Sequence, residues 1–170
     1  MEPVWITGMG LITSIGNDRS TVLNSLRTMK HGIENPAMLQ GEESPVKGAG
    51  TVKGFDVDSP DPEDWIYPSE YRVPRATIRS FSPHVLYAWC ALQQAIEDAN
   101  LSKDELQDPE SGLYTSSGSS MRSIHKHFEK MDRRGVMACN PLAIVASIAG
   151  TLTFNRVAAL GVRGSSMGTV

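Results

Sequence analysis

The residues of this chain that could do chemistry are a glycine-rich loop, a close-set pair of histidines, two cysteines and two clusters of basic side chains. Thr7-Gly8-Met9-Gly10 lies between an apolar run and a helix start, where backbone amides could meet a pyrophosphate. The third glycine of a G-x-G-x-x-G fingerprint would fall on Thr13, and no acidic residue closes a second strand about 20 residues on. The glycines therefore read as a tight turn between packed elements. His125 and His127 could share a metal only if they shared a face. On a helix, at ~100° per residue, they point to nearly opposite sides. No second cluster supplies further ligands, so no metal site is assigned.

Cys139 lies just before a helix start, where a thiol pKa can fall. No Cys/His or Ser/His/Asp grouping surrounds it, and it reads as a half-buried thiol. Cys90 falls within an amphipathic helix and reads as a core residue. Arg72, Arg75 and Arg79 form one basic cluster, and Lys126, Lys130, Arg133 and Arg134 another. By charge alone these are solvated faces, though such patches can also steer an acidic partner into place.

The elements that must position these groups alternate between strand and helix. Val4-Trp5-Ile6 reads as a buried strand entering the glycine turn. A helix begins near Ser20, with Val22, Leu23, Leu26 and Met29 as its apolar face and Gly32 as its stop. Residues 34–68 read as irregular, with a strand pair near Gly48 to Val57. Ser82-Pro83 opens the clearest helix, on which Val85, Trp89, Leu92 and Ile96 recur at helical spacing, and Asn100 ends it. Gly112 to Thr115 reads as a strand and Ser116 to Ser120 as a polar turn. Met121, Ile124, Phe128 and Met131 mark a further helix that Gly135 ends. Pro141 to Leu160 reads as one helix buried on most sides, with Ile144, Ile148 and Leu152 in the core. Ser166 to Val170 reads as an interior strand with Val170 close to packed core. The alternation predicts an α/β domain with a largely parallel sheet.

The 170 residues suffice for one domain with one sizeable core. With 40% apolar and 21% charged residues the chain is not of the disordered class. A net charge of -3 offers no general attraction for nucleic acid. Two cysteines do not make a disulfide framework, so a reducing cytoplasm is expected. No signal peptide is read at the N-terminus. Pro141 to Leu160 carries too many polar residues to span a membrane.

Three stretches together resemble one family. VWITGMGLITSIG, Val4 to Gly16, resembles the opening of β-ketoacyl-[acyl-carrier-protein] synthases, where a strand runs into T-G-x-G. ALQQAIEDANL, Ala91 to Leu101, resembles the family's A-x-x-x-A-x-x-D-A-G-L helix end, with Asn100 in place of glycine. GVRGSS, Gly161 to Ser166, resembles the G-x-x-G-P-S that precedes the nucleophile strand, with Ser165 in place of proline. The order and spacing of these motifs cover nearly the whole chain. An early F-F-G-I-S-P-like stretch is lacking, so the resemblance is to fatty-acid enzymes rather than modular polyketide synthases.

The resemblance implies an α/β, thiolase-like layered fold of which residues 1–170 form an incomplete N-terminal half. It implies decarboxylative condensation of acyl and malonyl thioesters on a cysteine thiolate, with two histidines assisting and no cofactor. Laid on this sequence, that cysteine falls about three residues past Val170, and His84, His125 and His127 do not occupy the histidine positions. The expectation is therefore of no catalytic residue in these 170 and no activity from them alone. Gly118 and Ser119 are expected beside the acyl tunnel. Arg75, Arg79 and Arg134 are expected to face the acyl carrier protein. A homodimer is expected at full length, with neither nucleic acid nor membrane as partner. The alternative is a non-catalytic thiolase-like module that docks a carrier or a partner synthase.

Overall fold

The computed structural model describes residues 3–170. Helix α1 (Arg19–Arg27) begins at Asp18, whose carboxylate accepts the Thr21 amide at 2.9 Å. Ser20, the expected cap, lies two residues on, within the first turn, and donates to that same carboxylate. Val22 is buried, but Leu23, Leu26 and Met29 are exposed, so the expected apolar face is only partly used. The chain reverses at Met29, in the left-handed region at φ 54, before Gly32 is reached. Strands β1 (Ile33–Glu34) and β2 (Ala49–Gly50) pair antiparallel, Ile33 with Gly50 and Glu34 with Ala49. The strand pair expected within Gly48 to Val57 is thus two longer-range pairings, the second a bridge from Asp56 to Ile66.

A short helix, α2 (Arg75–Ile78), leads into α3 (Pro83–Asp98). Proline at the first turn and Asn100 at φ 51 bound α3 as the sequence requires. The Ser82 hydroxyl does not cap it, however, but pairs with the His84 ring at 3.0 Å. Val85, Leu86, Trp89 and Cys90 of α3 join Trp65, Tyr71, Ile78 and Phe81 in the main core. Full burial of each large apolar side chain there contributes about 1.5–3 kcal/mol. Leu92 and Ile96 are half-buried.

The opposite side of α3 receives the N-terminal turn. A Cβ on Gly10 would lie 1.8 Å from the Ala91 carbonyl oxygen, and one on Gly8 2.5 Å from that of Ala95, so only glycine permits this approach. Gln94 and Asp98, one turn apart, accept the Leu11 and Met9 amides at 2.9 and 3.0 Å. Val4, Trp5 and Ile6 form no strand and are 96%, 79% and 85% exposed, which corrects the reading of a buried strand. The turn after them is held by α3, but no described residue pairs with their backbone, and a strand exists only in a ladder.

Helix α4 (Lys103–Leu106) opens with a capping box between Ser102 and Glu105. Strand β3 (Leu113–Ser116) leads to α5 (Met121–Arg134), which Gly135 ends at φ 79. The segment expected as one helix is two, α6 (Ala143–Ser147) and α7 (Thr151–Leu160), broken where Ile148 turns extended before Gly150. Hydroxyls of Ser147 and Thr151 donate to the Ile144 and Val145 carbonyls near the break, the latter also accepting the Ile148 amide. The break leaves Ile144 and Ile148 exposed, contrary to expectation, while Leu152 is buried as expected.

Strand β4 (Ser166–Thr169) pairs parallel with β3, Leu113 opposite Ser166 and Ser116 opposite Thr169. One face of this pair meets α7, where the Thr115 and Thr153 hydroxyls lie 2.6 Å apart. Tyr114 and Met167, side by side on the ladder, are exposed. The parallel sheet is therefore this one pair among the described residues. Val170 is 95% exposed rather than near the core, and among the described residues β4 is flanked chiefly by β3 and α7. Among the described residues no helix is long and apolar enough to cross a membrane.

Candidate functional site

The turn that carries Gly118 and Ser119 is tied at both ends. The Ser117 amide donates to Thr169 O at 3.1 Å, and the Ser120 amide donates to Ser147 O at 2.9 Å. The Ser120 side chain then caps α5 by accepting the Ser123 amide. Gly118 and Ser119 between these ties are exposed, and a Cβ on Gly118 would meet nothing within 4 Å. Neither residue lines any of the five grooves that surround Trp65, the 30–34 turn and the 56–66 segment.

Arg75, Arg79 and Arg134 lie on three adjoining grooves joined by the segment 61–64. Arg75 shares its groove with Glu63 and Asp64. Arg79 borders the next, with Asp61, Glu63, Asp64 and Lys130. Arg134, in the last turn of α5, borders the third, with Asp58, Asp61, Asp64 and Lys130. Asn140 supports this corner by donating to the Arg79 carbonyl at 2.6 Å. Residues far apart in sequence thus reach one surface because segment 56–66 folds between α2 and α5.

No local pattern in the sequence marks that segment as part of this surface. It carries Asp56, Asp58, Asp61, Glu63 and Asp64, a visible acidic signal. Lys130 donates to both oxygens of Asp61 at 2.6 Å. Asp58 pairs with Arg122 and, at 2.7 Å, with Lys126, whose hydrogen bond holds its carboxyl below the usual range. Arg75 pairs with Glu63 at 2.5 Å. Arg79 and Arg134 have no ion-pair partner among the described residues.

The other reactive groups are dispersed. His125 pairs with Glu129 at 3.4 Å, while His127 meets the edge of Phe128. No group of three metal-binding side chains occurs among the described residues. His84 is half-buried, and burial pushes its pKa below the ordinary value. Cys90 is fully buried, which pushes its thiol up to about 12. Cys139 donates weakly to the Gly135 carbonyl at 3.6 Å, and α6 starts only at Ala143. Neither thiol has the electropositive helix-end setting of a nucleophile.

One core residue carries no local signal of its burial in the sequence. Arg156 of α7 is buried with its guanidinium 4.2 Å above the Trp89 ring, and burial lowers its pKa to about 9. Its Nη2 lies 3.5 Å from the Val85 carbonyl, so it ties α7 to α3. In the sequence it is merely one cation in an apolar run.

Comparison with known proteins bears on the whole chain. The profile described as β-ketoacyl synthase, N-terminal domain, matches residues 1–170. The 3-oxoacyl-[acyl-carrier-protein] synthase 1 of Haemophilus influenzae is 31% identical over 157 residues, covering 90% of this chain and 35% of that protein. The chain thus spans about a third of the length of that curated relative. Among solved structures, the ishigamide ketosynthase/chain length factor superposes with a TM-score of 0.74 at 20% identity, covering 97% of this chain and 39% of the other. A type II polyketide ketosynthase, solved with its acyl-carrier protein and bound to a hexaketide, superposes with a TM-score of 0.67 at 17% identity, covering 95% and 40%. The fold is therefore that of the thiolase-like ketosynthases, in its N-terminal part.

Proposed function

Because the chain belongs to the β-ketoacyl synthase family, we propose that it is the front part of a 3-oxoacyl-[acyl-carrier-protein] synthase of the fatty-acid type. The reaction is the decarboxylative condensation of an acyl thioester with a malonyl thioester. The observation that carries this reading is the match of the family's N-terminal domain along residues 1–170. In it, these residues supply scaffold, part of the acyl pocket and part of the carrier surface, and no group that makes or breaks a bond. The setting of Cys90 agrees with that division, since a thiol held near 12 has almost no thiolate at neutral pH.

Arg75, Arg79 and Arg134 are the proposed contacts for an acidic acyl carrier protein. Their convergence on adjoining grooves supports this. Rim charges of this kind act chiefly on encounter rate and depend on salt. Gly118 and Ser119 are the proposed tunnel residues, in a turn whose fixed ends would hold a small side chain in register. Their open surroundings suit a wall completed by further polypeptide. The working protein is proposed to be a cytoplasmic homodimer.

The test is a condensation assay with acyl- and malonyl-acyl carrier protein. The whole reading frame that encodes these residues is expected to release a β-ketoacyl product, and the 170-residue chain alone to release none. Product from the isolated chain, or its absence from the whole frame, overturns the reading. Absence of product with carrier binding intact would favour a non-catalytic docking module, the reading that the settings of the two thiols also allow.

A further inference from the structure

The basic face proposed for an acidic partner is already partly occupied by acid from the same chain. Five carboxylates lie within residues 56–64, namely Asp56, Asp58, Asp61, Glu63 and Asp64. Three of them are paired with cations outside the segment. Asp58 holds Arg122 and Lys126, Asp61 holds Lys130, and Glu63 holds Arg75. Lys126 also donates to the Asp58 backbone carbonyl, so the segment is bound to α5 through main chain as well as side chain. The Lys130 side chain is only 10% exposed, with both its Asp61 contacts at 2.6 Å. Cations of α5 spaced one turn apart, at 122, 126 and 130, all face this segment. Arg79 and Arg134, which have no ion-pair partner among the described residues, lie at its margins.

We propose that segment 56–64 is an intramolecular acidic pseudo-ligand that masks Arg75, Arg122, Lys126 and Lys130 and thereby narrows the three proposed carrier contacts to Arg79 and Arg134 until Arg75 is released from Glu63. The proposal rests on the carrier-docking reading above and adds to it an autoinhibitory contact. Its physical basis is competition for the same cations. A carboxylate tethered in the chain meets a cation at high effective concentration, so an incoming carboxylate must displace it before binding there. Docking at the unmasked margin avoids that displacement. The mask therefore sets where the partner sits and lowers how tightly it binds.

The experiment measures binding of fluorescently labelled acyl carrier protein to the 170-residue chain by anisotropy, at low and at high salt. The double variant Asp58→Asn/Asp61→Asn is expected to bind about 5-fold more tightly than the parent at low salt, and the gain should vanish when salt screens the exposed cations. Equal or weaker binding by a folded double variant overturns the proposal. Because Lys130 is largely buried, that variant could lose structure. Glu63→Gln is the second probe, since its partner Arg75 has an 85% exposed side chain and carries little of the fold. It is expected to tighten binding about 2-fold at low salt, and unchanged affinity counts against the mask. Retention of the same proteins on immobilised poly-glutamate separates the two ideas. If neither parent nor variants bind the carrier, but the variants are retained more strongly than the parent, the mask stands and the carrier reading falls. If the parent binds the carrier and no variant differs from it on either probe, the mask falls and the carrier reading stands.

Discussion

The two sides of helix α3 are held in different ways. On one side Phe81, Val85, Leu86 and Cys90 are buried in a closed cluster with Trp65, Tyr71 and Ile78. On the other, the N-terminal turn is pinned by glycine contacts and two side-chain hydrogen bonds, while Val4, Trp5 and Ile6 just before it stand in solvent. Both regions carry large apolar side chains, yet only the first is packed. A helix satisfies its own backbone and needs a neighbour for only one face. A strand needs a partner at its edge and cover on its face before its apolar residues can leave water. The pair β3 and β4 shows the intermediate case, with α7 on one face and Tyr114 and Met167 bare on the other.

The largest effect should come from the packed side. Leu86→Ala removes a fully buried side chain and is expected to cost about 3 kcal/mol, read from the denaturant midpoint. A cost comparable to that of an exposed residue would show that the cluster is loose and the contrast unfounded. Gly10→Ala tests the pinned turn. The added methyl group would collide with the Ala91 carbonyl, and about 2 kcal/mol is expected to be lost. Gly118→Ala, with open space around it, serves as the control and should change stability little.

Asp18 provides a pH-dependent test. Hydrogen bonds from Ser20 and then Thr21 lower its pKa from 3.8 to about 2. A carboxyl depressed in the folded state adds stability that is present above its unfolded pKa and lost as pH falls through the folded one. The Asp18 contribution should therefore fade between about pH 4 and pH 2. Asp18→Ala should flatten that part of the profile and cost about 1 kcal/mol at neutral pH through the lost cap. Equal pH profiles for both proteins would remove Asp18 as the cap. The smallest stability change is expected from Trp5→Ser with Ile6→Ser, within about 0.5 kcal/mol. Those changes should act on solubility instead, by reducing an exposed apolar surface. A loss like that of Leu86→Ala would mean that the segment is packed in solution.

Much of α3 and α5 was legible because their signals are local. Pro83 opens α3, Asn100 and Gly135 stop helices, and Val85 and Trp89 repeat at the helical period. The three family-like motifs were legible for the same reason, being short and ordered along the chain. The break at Ile148 was not, since residues 141–160 read as one apolar run until the Ser147 and Thr151 hydroxyls find carbonyls that suit a break. The pairing of β1 with β2 depends on register between distant residues, which no local pattern encodes.

The candidate surface divides in the same way. The sequence by itself determined that basic residues recur near 75–79 and along 122–134, and that acidic residues crowd 56–64. Only the tertiary structure decided that these segments meet, that Lys130 spends its charge on Asp61, and that Arg79 and Arg134 remain at the margin. Residue type and helical period are properties of a few neighbouring positions, whereas an ion pair across 69 residues depends on how the whole intervening chain is folded. The same holds for Arg156, whose place over Trp89 follows from the packing of α7 on α3. Charge is written in the sequence, but whether a charge is available to a partner is set by what the folded chain has already placed beside it.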